Sequence, residues 1–123
     1  MHALDLAGLR AADVSFWTAW EGESVVGTGA LKRLAADHGE IKTMHTAAEA
    51  RGRGVGRAML HHLVAAARAR GLARLSLETG AREDFKPAHA LYRSHGFVDC
   101  PPFGDYAPDP HSCFLTLDLR GAP

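Results

Sequence analysis

Residues 40–57 read Glu40-Ile41-Lys42-Thr43-Met44-His45-Thr46, then Ala47-Ala48-Glu49-Ala50, then Arg51-Gly52-Arg53-Gly54-Val55-Gly56-Arg57. The first seven alternate Ile41 and Met44 with threonines and suit an extended strand. The last seven form a glycine- and arginine-rich turn. Beyond it, Val55, Met59, Leu63 and Ala66 recur at helical spacing, flanked by Leu60, Val64 and Ala67, and Gly71 supplies a stop, so a helix is expected over 55–70. Leu75-Ser76-Leu77-Glu78-Thr79 then reads as a short strand. Strand, loop, helix and strand in that order make one crossover between parallel strands.

Working outward, 14–20 is rich in branched and aromatic residues and reads as a strand. Glu21, Gly22 and Glu23 turn it into a second strand over 24–32, completing a hairpin. Downstream, a second helix has Pro87 in its first turn, Ala88, Leu91 and Tyr92 on one side, and Gly96 at its end. Strands at 97–100 and 112–119 bracket a Pro-, Gly- and Asp-rich loop over 101–110. Residues 5–12 are expected to form a short helix capped by Asp5 that packs Leu6 and Leu9.

A chain of 123 residues can bury roughly two thirds of its unfolded surface, so a single domain over 1–123 is expected. Fourteen basic residues balance fourteen acidic ones, which argues against a non-specific nucleic-acid binder or an anionic-membrane binder. Any anion site must then be local. No apolar run approaches the roughly 20 residues of a spanning helix, and the amino terminus lacks a secretory pattern, so a cytoplasmic location is expected. Cys100 and Cys113 are too few for a zinc framework and read as free thiols in neighbouring strands.

The glycines of 51–57 permit positive φ and close backbone approach, the helix behind them offers unpaired N–H groups, and three arginines add charge. A pyrophosphate is the natural occupant. The nucleotide-triphosphatase loop fails because Gly56 is followed by Arg57 and Ala58. The dinucleotide fingerprint fails because Arg57 stands where its third glycine belongs.

The spacing Arg51, Gly54, Gly56 between a strand and an amphipathic helix resembles the acyl-coenzyme A loop of the GNAT N-acetyltransferase superfamily. The run Ala88, Leu91, Tyr92, Gly96, Phe97 resembles that superfamily's Ala-x-x-Leu-Tyr-x-x-x-Gly-Phe segment. Further stretches at 17–22, 29–31, 39–44, 75–80 and 103–106 resemble a bacterial YsnE-like subgroup. The resemblance implies an α/β fold: a mixed, mostly antiparallel sheet with one central parallel pair, a V-shaped cofactor cleft and helices on both faces. It also implies an enzyme that transfers an acetyl group from acetyl-coenzyme A to a primary amine, of a small molecule, by direct attack in a ternary complex and without a metal.

By the same resemblance, the backbone of Met44, His45 and Thr46 would pair with pantetheine and present an N–H to the thioester oxygen. Arg51, Gly52, Arg53, Gly54, Val55, Gly56 and Arg57 would hold the phosphates. Tyr92 would protonate the departing thiolate, with a tyrosine hydrogen-bonded in the core as its structural alternative. Phe85 stands where many members carry an asparagine that contacts the cofactor. An amine reaches neutral pH mostly protonated and needs a base, for which Glu40 and Glu78 are both candidates, with His45 and His89 behind them. Asp105, Tyr106 and Asp109 could attract a cationic amine, although a polar turn is the commoner meaning of such a run. His61 and His62 fall on different sides of a helix and do not suggest a metal site.

The family usually places a strand and helices before the hairpin, and this chain begins a dozen residues ahead of it. The first strand is therefore expected to be missing, leaving 14–20 as a bare edge with Phe16, Trp17 and Trp20 that a homodimer would cover. Two alternatives stand beside the enzyme: a non-catalytic module that binds acyl-coenzyme A or a partner, and an acetyltransferase acting on protein amino termini or lysines.

Overall fold

The computed structural model describes residues 4–11 and 13–120, with side chains described from 13 onward. In chain order the elements are β1 (Leu4–Ala11), β2 (Val14–Glu21), β3 (Ser24–Ala35), β4 (His38–Thr46), α1 (Val55–Ala69), β5 (Arg74–Gly80), α2 (Lys86–Ser94), β6 (Val98–Asp99) and β7 (Ser112–Asp118). The strands form one sheet in the order β1-β2-β3-β4-β5-β7-β6. Its β4·β5 pair is parallel and every other neighbouring pair is antiparallel.

The segment expected to be a capped helix is instead β1. It pairs with β2 along its whole length, from Leu4↔Glu21 to Ala11↔Val14. A first strand is therefore present, and β2 is an interior strand. Trp17 is not left on an edge: its ring meets the His62 ring at 5.0 Å, and the Arg70 guanidinium lies 5.2 Å over it. The argument for a homodimer that rested on a bare β2 loses its premise.

Why α1 sits where it does is written in β3. A Cβ built on Gly29 would lie 2.7 Å from Met59 Sδ, and one on Gly27 would lie 2.9 Å from Val55 Cγ1. The missing side chains let the helix approach the strand backbone. Leu60, Leu63, Leu75 and Leu115 are wholly buried between helix and sheet. Gly29→Ala should overpack this seam and destabilise the protein by about 1–3 kcal/mol. A fall in the urea midpoint at unchanged slope would show it.

Both described helices lie on the same face. Leu115 and Leu117 share that face with Leu75 and Leu77 through the β5·β7 register. Leu117 lies against Gly96 at the end of α2, and Leu91 of α2 lies against Gly56 of α1. The expectation of helices on both faces is thus corrected. Two successive right-handed crossovers running the same way across a sheet must put their helices on one side. The opposite face of β4, β5 and β7 is covered by the loop between β6 and β7. There Phe103, Tyr106 and Phe114 pack edge to face, with ring centroids 5.2–5.9 Å apart.

Beneath that loop a polar chain runs across the sheet. His38 Nε2 meets Ser76 Oγ at 2.8 Å, Ser76 meets Thr116 Oγ1 at 2.8 Å, and Arg74 donates to Thr116 at 3.0 Å. Burial, followed by the charge of Arg74, holds the His38 imidazole below its ordinary pKa. Cys100 and Cys113 are free thiols. No described helix is long and apolar enough to cross a membrane.

Candidate active site

Parallel pairing of β4 with β5 runs only from His38↔Arg74 to Ile41↔Leu77. Beyond that point each strand keeps its outer partner: Met44 stays opposite Gly29 and Thr46 opposite Gly27, while Glu78 stays opposite Phe114. The inner edges separate, and a cleft of about 1160 Å³ opens between them. Residues 42–46 therefore present backbone groups with no strand partner toward the gap, an arrangement that an extended ligand can complete as an added strand.

The floor of the cleft is the loop ahead of α1. Gly52 and Gly54 have φ of +78° and +83°, a region that L side chains disfavour, and Gly54 is the N-cap of the helix. These turns aim the first free N–H groups of α1 into the cleft. Of the three arginines, Arg53 is engaged: its Nη1 lies 2.9 Å from Glu21 Oε1, which ties the loop to the β2–β3 hairpin. Arg51 and Arg57 make no ion pair among the described residues and line the cleft.

Across from the loop, α2 brings Tyr92 to the wall. Tyr92 is 7% exposed and lines the cleft. Burial pushes its phenol above the usual tyrosine range, so it stays protonated at neutral pH. Its hydroxyl has no protein hydrogen-bond partner among the described residues, unlike a tyrosine anchored in a core. Phe85 also lines the cleft, its ring held against Gly80, where an added Cβ would collide with it.

The two carboxylates proposed for the base are separated by the structure. Glu78 is one residue past the last parallel pair and lines the cleft, where Ser112 Oγ donates to its Oε2 at 2.5 Å. Glu40 lies within the paired segment opposite Ser76, is 2% exposed, and does not line the cleft. Its Oε2 accepts a 2.6 Å hydrogen bond from the Tyr106 hydroxyl. That bond, with burial, pushes the Tyr106 phenol up to about 12.

Other candidates fall into place. His45 lines the cleft and is exposed, whereas His89 is spent on the Gly80 carbonyl at 2.8 Å. Asp109 accepts from the His111 backbone N–H at 2.8 Å and so is a turn residue, and Asp105 is exposed. Among the described residues no group of three or more His, Cys, Asp or Glu side chains could hold a metal. Sequence reasoning missed Lys42 and His111 as cleft residues, and missed that the 101–111 loop folds over Glu40. Only the bulge at Lys42, visible once β3 and β4 are paired, marks that position.

A sheet that opens between two parallel strands above a glycine-loop helix terminus defines an acyl-coenzyme A transferase fold. The chain belongs to the Acetyltransferase (GNAT) family, whose profile matches residues 2–97, and it is an acyltransferase of that family. It is 52% identical over 118 residues to the uncharacterized N-acetyltransferase YedL of Escherichia coli K12, spanning 96% of this chain and 74% of that protein. It is 50% identical over 119 residues to the uncharacterized N-acetyltransferase YsnE of Bacillus subtilis 168, spanning 97% and 79%. Among solved structures, a Klebsiella pneumoniae protein of the acyl-CoA N-acyltransferase type superposes with a TM-score of 0.80 at 32% identity, covering 87% of this chain and 73% of that one.

Proposed function

We propose that this chain transfers the acetyl group of acetyl-coenzyme A to the primary amine of a small molecule, within a ternary complex. The observation that carries the reading is the end of β4·β5 pairing at Ile41↔Leu77, directly above the amino terminus of α1. The pyrophosphate sits on the amides of 52–56, and the pantetheine arm runs along the open edge of 44–46. A backbone N–H near Met44 or His45 meets the thioester oxygen and stabilises the charge that develops there.

Glu78 takes a proton from the ammonium group. The freed amine nitrogen then attacks the thioester carbon, the tetrahedral intermediate collapses, and the carbon–sulfur bond breaks. Tyr92 gives its proton to the leaving thiolate, and the second proton that the nitrogen sheds as it becomes an amide returns to the Tyr92 phenolate. Neither thiol lines the cleft, which disfavours a covalent acetyl-cysteine route.

Thiol release from acetyl-coenzyme A over an amine panel, with cofactor binding followed by calorimetry, tests the reading. Binding without release in any amine would assign the chain to a non-catalytic module. Tyr92→Phe should lower turnover by about 10²-fold while cofactor affinity holds, at the low end for a general acid because a thiolate leaves readily. Equal turnover of the two proteins would make Tyr92 a wall residue.

A further inference from the structure

Lys42 and Glu78 are the first residues past the last parallel pair, one on each lip of the cleft. Lys42 is also the extra residue of a β-bulge: Ala30 faces Thr43 and Leu31 faces Ile41, with Lys42 between them unmatched. Bulges of this kind re-aim a side chain beside a site. Here the bulge turns an exposed lysine toward the loop that covers the sheet, with its Nζ 5.6 Å over the Tyr106 ring and 3.4 Å from the Tyr106 hydroxyl. That hydroxyl donates its own proton to Glu40, so it offers Lys42 a lone pair and no charge. No carboxylate forms an ion pair with Lys42 among the described residues. Glu78 exerts its charge on the same tyrosine. One ammonium and one carboxylate thus flank the mouth of the gap.

We propose that the acceptor is an amine that also carries a carboxylate, an amino-acid-like zwitterion whose amine meets Glu78 and whose carboxylate meets Lys42; this rests on acetyl transfer at the same cleft. An amine without a carboxylate would use only half of the pair and leave the lysine without a counter-charge. A free α-amino acid carries both groups on one carbon and is the simplest molecule that offers an amine and a carboxylate together.

The probes are matched pairs that differ only in the carboxylate: phenylalanine with phenethylamine, and leucine with isoamylamine. Binding is measured by saturation-transfer NMR on the coenzyme A-loaded protein, which reports without turnover. In at least one pair the acid should bind about tenfold or more tighter than its decarboxylated partner, the scale of one charge-assisted hydrogen bond. Lys42→Met should bring that ratio toward one, and Lys42→Glu should invert it. No preference for the acid, a preference that survives Lys42→Met, or no binding by any member of either pair would overturn the proposal. Acid-selective binding without acetyl transfer would refute the transfer reading and leave the zwitterion site standing. Transfer that favours the decarboxylated amines would do the reverse.

Discussion

Calorimetry should register acetyl-coenzyme A binding by the native protein and none by the Gly52→Val, Gly54→Val double variant. Both glycines hold φ near +80°, and a β-branched side chain there is strained by about 1–3 kcal/mol. The backbone escapes that strain by rotating to negative φ. Rotation turns the loop amides away from the cleft, and the phosphate loses several donors together. A Cβ at either position meets nothing within 4 Å, so the branch point of the new side chain enters open space and the circular dichroism spectrum should not change. A folded double variant with native affinity would remove the pyrophosphate from this loop.

Glu78→Gln should lower turnover by about 10²- to 10⁴-fold, the usual contribution of a positioned general base, with cofactor affinity unchanged. The amide still accepts from Ser112, so the site keeps its shape and loses only the capacity to take a proton. The rise of rate with pH on the acidic side should also vanish in this variant. Glu40→Gln provides the contrast. Its carboxylate is closed under Tyr106 within the paired part of the sheet, so the shape of the pH profile should survive. The opposite pattern, with Glu40 controlling the acidic limb, would move the base across the sheet.

The crossover was legible in the sequence because its signals are local. The 3.6-residue recurrence of Val55, Met59 and Leu63 gives α1, and the glycine spacing gives the loop ahead of it. β1 was not legible as a strand. Leu6 and Leu9 stand three apart, as on a helix, and what makes the segment extended is eight residues of pairing with β2. The two carboxylates could not be ranked from sequence for a related reason. Glu40 and Glu78 both sit at strand positions near the crossover, and what separates them is where interstrand pairing stops. Tyr106 stood out in the sequence only as part of a polar turn, and nothing local ties it to Glu40, over which it closes from 66 residues away.

The two sides of this sheet have different freedom to change. On the helix side, Gly27 and Gly29 are locked to Val55 and Met59, so the glycine loop, the helix and the hairpin can vary only in concert. On the other side, the cover is a connecting loop of prolines and aromatics that belongs to neither crossover. Its length and composition can drift without touching the glycine seam. A lineage built on this scaffold would thus hold its donor chemistry fixed while exchanging one acceptor for another by remodelling residues 101–111.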